Sequence, residues 1–204
     1  RNLMRGLILD CQVEESKINS IITIIDKMDK LSKEEFRESL QKVGLEDKQI
    51  DKLLQLFHFS LSELTQQYQD TNIEQIKTGL NELNSINSYI RSLDIEKYCQ
   101  FTPTLARGQD YYTGNVFEVY EKNRKLNCSI GGGGRYDNMI TNYIQDGNIY
   151  PAVGISFGLS SIYELLKDKE EITDKTDVQV YLIPMETEEY TLNFANELRK
   201  KNIH

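Results

Sequence analysis

The chain has 204 residues, of which 39% are apolar and 27% charged, enough apolar content to bury a core and too much for a disordered polypeptide. Lys+Arg 24 against Asp+Glu 32 leaves a net charge of -8, which excludes a strongly basic nucleic-acid arm but not an enzyme that handles nucleic acid through a local patch. No apolar run approaches the roughly 20 residues of a membrane span, and Cys11, Cys99 and Cys128 are an odd set with no close pair. No disulfide framework, zinc knuckle, protein-held transition metal or membrane partner is therefore expected, and the expected location is a reducing cytoplasm.

The first half reads as helices, with no proline before Asp94 and only Gly6, Gly44 and Gly79 as glycines. Ile18, Ile21, Ile22, Ile25 and Met28 recur at helical spacing. Ser32 followed by Glu35 predicts a capping box that opens a helix with Phe36, Leu40 and Val43 on its apolar face, stopped by Gly44. Ile50, Leu53, Leu54 and Phe57 mark a third helix. Thr71 with Glu74 predicts another capping box and a long helix striped by Ile73, Ile76, Leu80, Leu83, Asn87, Ile90 and Leu93. Its lone Gly79 should cost about 1 kcal/mol relative to alanine.

After Gln100 the texture turns to strands. Val116–Tyr120 and Leu126–Ile130 are β-prone and suit a hairpin through the Asn123 region. Tyr136–Ile144 reads as a helix, Ala152–Phe157 as a strand, and Gly158 leads into a helix that runs through Leu166. Asp168–Asp177 is a charged linker, Val178–Ile183 a buried-type strand, and Thr187–Lys201 an amphipathic helix carrying Leu192, Ala195 and Leu198. One strand and one helix do not close a core, so the last segment is expected to be the beginning of a further α/β domain.

Chemistry concentrates in three places. In Ala106–Gly114, a guanidinium (Arg107), a carboxylate (Asp110) and two phenols (Tyr111, Tyr112) lie within six residues, alongside Gly108 and Gly114. Arginine presents a planar fork suited to a carboxylate or phosphate, yet the same residues serve equally as an Arg107–Asp110 surface pair with the tyrosines alternating between core and solvent. Gly131–Gly134, followed by Arg135, Tyr136 and Asp137, is either a backbone cradle that turns N–H groups toward an anion or a flexible turn or bulge. Gly154–Ser161 passes from strand to helix through Gly158, an ordinary packing junction when taken alone. His58, between Phe57 and Phe59, reads as a partly buried helix residue, and Cys99 and Cys128 as small apolar fillers.

Taken in order, these clusters resemble the histidyl-tRNA synthetase family of class II synthetases. Leu105–Gly114 is similar to the family's first histidine-specific signature, with Gln109 where leucine is usual, and Gly132–Asp137 to its second. Pro151–Leu159 is similar to the third class II motif, Ile25–Lys30 to the start of the helical insertion, and Val178–Ile203 to the opening of the anticodon-binding domain.

The resemblance implies an α+β fold: a helical insertion over 1–97, the C-terminal part of a class II catalytic domain with a partial antiparallel sheet over 98–168, and a linker with the start of a truncated α/β domain over 169–204. It implies that Arg107 holds the histidine carboxylate and the α-phosphate of ATP, that Tyr111, Tyr112 and Tyr136 line the imidazole pocket, and that Gly131, Gly132 and Gly133 bring backbone close to the substrates. Gly158 and Ser161 fall in the ATP-binding motif, where Ser161 occupies the position of the usual arginine. The implied function is ATP-dependent activation of histidine and its transfer to tRNA-His, with ATP and Mg as substrate and a homodimer when full length. The region carrying the second class II motif lies upstream of Arg1, so the chain alone is expected not to charge tRNA. The alternative is a non-catalytic, synthetase-like regulatory paralog of histidine biosynthesis.

Overall fold

The computed structural model describes residues 1–107, 111–123, 126, 128–169 and 178–203. It comprises two compact units, Arg1–Gly158 and Leu159–His204.

The first unit opens on helices α1 (Asn2–Asp10), α2 (Ile18–Ile25), α3 (Lys33–Lys42), α4 (Asp47–Leu56), α5 (Leu61–Gln67) and α6 (Glu74–Ser92). The isoleucine stripe of α2 is the centre of the helical core: Ile18, Ile21, Ile22 and Ile25 are all at most 2% exposed. Sequence periodicity does not reveal α1 or α5, although Ser60–Glu63 opens α5 with the same capping signal that Ser32–Glu35 gives α3. A further box forms at α4, where Gln49 Oε1 accepts from Glu46 N at 2.9 Å. Gly44, at φ +91, ends α3 in the left-handed conformation as expected.

Two helical expectations are corrected. Thr71 and Glu74 form no capping box. The Thr71 hydroxyl takes the N–H of Ile73 two residues on, at 3.2 Å, and α6 starts with Ile73 as its N-cap and no side-chain cap. The apolar stripe of α6 also runs out, since Ile76 and Leu80 are buried while Leu93 is 67% exposed. Gly79 is a contact residue: α6 lies so close to α1 that a Cβ there would stand 2.6 Å from Leu3 Cα. His58 sits in an exposed turn after α4, and Cys99 and Cys128 are exposed, so none of the three fills the core.

The Ser32 cap carries a pH dependence. Glu35 accepts from Ser32 N at 2.9 Å and Ser32 Oγ accepts from Glu35 N at 3.2 Å. The backbone bond first, then the hydroxyl, holds the Glu35 carboxyl below its ordinary value. A carboxylate depressed in the folded state contributes stability above its unfolded value of about 4.3, and that contribution is lost as pH falls through the folded value. Ser32→Ala should lower unfolding stability by about 1 kcal/mol at neutral pH. Urea titrations at pH 7 and pH 3 should show the difference from wild type shrinking in acid.

Beyond the helices, β1 (Val116–Val119), β2 (Gly131–Arg135) and β3 (Val153–Phe157) form an antiparallel sheet in the order β1-β2-β3. The glycine run is the middle strand, neither a turn nor a bulge, and the described residues of Leu126–Ile130 are not strand. Helix α7 (Asp137–Ile144) follows β2 directly. In the second unit, α8 (Leu159–Asp168) and α9 (Glu188–Lys200) lie where the sequence places them. Val178–Ile183, expected as a strand, is not strand, with Tyr181 and Ile183 83% and 72% exposed. Most of the charged linker, residues 170–177, lies outside the described residues.

Candidate active site

The site rests on one face of the sheet. Side chains alternate along a strand, and directly opposed residues share a face. The register pairs Gly134 with Val116 and Gly154, and Gly132 with Glu118 and Ser156, so all six project to the same side. Three glycines there make room for larger groups. A Cβ on Gly132 would collide with Arg107 Nη1, one on Gly134 would lie 2.8 Å from the Tyr112 ring, and one on Gly154 would lie 2.8 Å from the Tyr136 hydroxyl. Arg107, Tyr112 and Tyr136 thus lie directly on a glycine floor.

The helical layer fixes the approach of the arginine. Ala106 is buried with the helical core, and Arg1 Nη1 donates to the Arg107 carbonyl at 2.9 Å. After the turn, Thr113 N donates to Arg135 O at 2.9 Å and Thr113 Oγ1 accepts from Asp137 N at 3.0 Å, which ties the tyrosine segment to the start of α7. Arg135 pairs with Asp137 at 2.8 Å and lies on the strand position facing away from Gly134.

Tyr111, Tyr112 and Tyr136 form one cluster. The first two rings are tilted with centroids 4.5 Å apart, and Tyr111 meets Tyr136 edge-on at 6.0 Å. Tyr112 is buried and Tyr111 is 40% exposed, while the Tyr111 hydroxyl still reaches that of Tyr112 at 3.5 Å. Burial first, then the Tyr111 hydroxyl, raises the Tyr112 phenol above its ordinary range and keeps it neutral. The Arg107 guanidinium stands 6.0 Å from the centre of the Tyr112 ring.

Arg107 donates through Nη1 to Glu118 Oε1 at 3.1 Å, and its Nε is buried with no partner among the described residues. The second Glu118 oxygen accepts from the Tyr120 hydroxyl at 2.5 Å. Glu118 and Tyr120 do not stand out in the sequence as the three clusters do, although a carboxylate inside the β-prone run Val116–Tyr120, two residues from the tyrosine, is a visible signal. Asp110, Gly108 and Gln109 lie outside the described residues.

The glycines divide. Gly132 lies beneath Arg107, whereas Gly131 and Gly133 belong to the opposite face, where a Cβ on Gly131 would meet the Phe157 ring at 2.7 Å. As a middle strand, β2 directs its N–H and C=O groups to its two neighbours, so the glycines serve as space and not as an N–H cradle. Gly158 closes the sheet, donating to Ile130 O at 2.9 Å, and Ser161 lies in the first turn of α8 in the second unit.

A small antiparallel sheet with its helices, carrying an arginine and a tyrosine cluster on one face, is a fragment of the class II synthetase fold. The chain belongs to the histidyl-tRNA synthetase family, whose model matches residues 1–162. It is 34% identical over 200 residues to histidine–tRNA ligase 1 of a Bacillus cereus strain, covering 98% of this chain and 47% of that protein. It is 34% identical over 212 residues to histidine–tRNA ligase of Clostridium tetani, covering 100% of this chain and 47% of that protein. The crystal structure of histidyl-tRNA synthetase from Nostoc sp. PCC 7120 superposes with a TM-score of 0.76 at 27% identity, over 100% of this chain and 50% of that one. The chain therefore spans about half the length of the relatives it matches. An ATP phosphoribosyltransferase regulatory subunit/histidyl-tRNA synthetase from Bacillus halodurans C shares the fold, with a TM-score of 0.65 at 20% identity over 99% of this chain and 50% of that one.

Proposed function

We propose that this chain supplies the histidine-recognising part of a histidine–tRNA ligase. The observation that carries the reading is Arg107 lying on the glycine floor beside Tyr111, Tyr112 and Tyr136, with a buried Nε that has no partner among the described residues. The flat phenols suit an imidazole ring, and the guanidinium suits the carboxylate at the other end of the same amino acid. In the activation step a carboxylate oxygen of histidine attacks the α-phosphorus of ATP, taken with Mg as substrate, and pyrophosphate leaves. Arg107 bridges the two anionic groups and stabilises charge that builds as the new bond forms, with little acid–base work. Transfer to tRNA-His and homodimer formation belong to the intact protein. Within it we assign 1–97 to the helical insertion, 98–168 to the catalytic domain and 169–204 to the linker and start of the anticodon-binding domain.

Ser161 favours a second reading, a regulatory paralog that binds histidine without activating it, because the resemblance places an ATP-gripping arginine at this position. Pyrophosphate exchange by the intact gene product separates the two. Exchange that depends on histidine, with other amino acids inert, supports the ligase. Histidine binding without exchange supports the regulator.

A further inference from the structure

We propose that Glu118 is a positioning residue for Arg107, holding the guanidinium on the glycine floor in the orientation that meets the substrate. The inference rests on the reading of Arg107 given under Proposed function. Glu118 projects from β1 directly opposite Gly132, the residue over which Arg107 lies. One carboxylate oxygen accepts from Arg107 Nη1 at 3.1 Å, and the other accepts from the Tyr120 hydroxyl at 2.5 Å. Both side chains are largely buried, at 21% and 19% exposed. An arginine has four side-chain torsions, and Gly132 offers it no Cβ to lean on. The carboxylate anchored by Tyr120 is therefore what selects one orientation.

The contact also uses the guanidinium sparingly. Glu118 engages Nη1 alone and leaves the buried Nε–H without an acceptor among the described residues. A buried donor without an acceptor is costly, and an anion that accepts from it relieves that cost. Glu118 thus orients the fork through one terminal nitrogen.

The test is a double-mutant cycle in the intact synthetase, read by histidine-dependent pyrophosphate exchange with separate kcat and KM. Glu118→Ala should lower kcat about tenfold or more, as expected for a misplaced catalytic group, while KM for histidine changes by less than about threefold. In an Arg107→Ala background the same substitution should cost less than about twofold, because the group it orients is gone. Glu118→Gln keeps the reach and the acceptor and should recover most of the lost rate. Glu118→Asp keeps the charge but is one methylene short and should behave like alanine, which preserves the test if Glu118→Ala does not fold. Equal losses from Glu118→Ala in both backgrounds, or a Gln variant no better than Ala, would overturn the inference. If Arg107→Ala alone leaves exchange unchanged, the reading of Arg107 fails and takes the inference with it.

Discussion

Arg107→Ala in the intact synthetase should lower the rate of histidine activation by about a hundredfold, or ~3 kcal/mol, the cost of removing one charged donor from a developing oxyanion. Histidine binding should weaken far less. The histidine carboxylate already carries its charge when bound, whereas the α-phosphate gains charge density only as the new bond forms, so the guanidinium counts most in the transition state. Local structure should survive, because Arg1 bonds the backbone carbonyl of residue 107 and Ala106 anchors the segment in the helical core. Arg107→Lys should recover little, since an ammonium is a point charge and cannot reproduce the planar fork that reaches Glu118 through one nitrogen and a substrate through another. Pyrophosphate exchange analysed as separate kcat and KM decides the matter. A hundredfold rise in KM with unchanged kcat would make Arg107 a binding residue only.

Gly79→Ala should destabilise the first unit by about 2 kcal/mol, the net of two opposed effects. Alanine in a helix interior is favoured over glycine by about 1 kcal/mol, so on an isolated helix the change would stabilise. In this fold the new methyl would meet Leu3 Cα at 2.6 Å and Leu3 Cβ at 2.7 Å, far inside ordinary contact. The obstacle is backbone, so no rotamer change relieves it. The approach is also reciprocal: a Cβ on Gly6 of α1 would stand 2.7 Å from Ile76 N of α6. The two helices are close because each presents a glycine to the other's backbone, and separating them would open the layer that buries Leu7 and Ile76. Overpacking costs about 1–3 kcal/mol or more, and with both backbones fixed the upper end applies. Urea unfolding should show a lower midpoint at unchanged slope. A higher midpoint would mean that α1 and α6 do not touch at Gly79.

How far the sequence reveals these features depends on how local each one is. The Ser32–Glu35 box and the isoleucine stripe of α2 are set by residues within a few positions of one another, and both are present as read. Thr71–Glu74 shows the limit of such signals, because the same hydroxyl can serve a nearer N–H and leave the helix to start without it. Gly79 reads as a weakness when only its own helix is considered, and as a contact once α1 is present. The glycine run misleads for the same reason. Four glycines have no β propensity of their own, and their strand is imposed by β1 and β3 on either side. Val178–Ile183 is the converse case, a strong local strand pattern that does not become strand. At the candidate site, Arg107 and the three tyrosines are legible from their density in the chain. Glu118 shows in the chain only as a carboxylate within a β-prone run, because its place opposite Gly132 is set by the register.

The most direct measurement is a crystal structure of the intact synthetase with a non-hydrolysable analogue of histidyl adenylate. The imidazole should lie among Tyr111, Tyr112 and Tyr136, and Arg107 within hydrogen-bond distance of both the carboxyl oxygen and the phosphate mimic, with Nη1 still on Glu118. An analogue bound away from the glycine-floored face, or an Arg107 that touches neither anionic group, would contradict it.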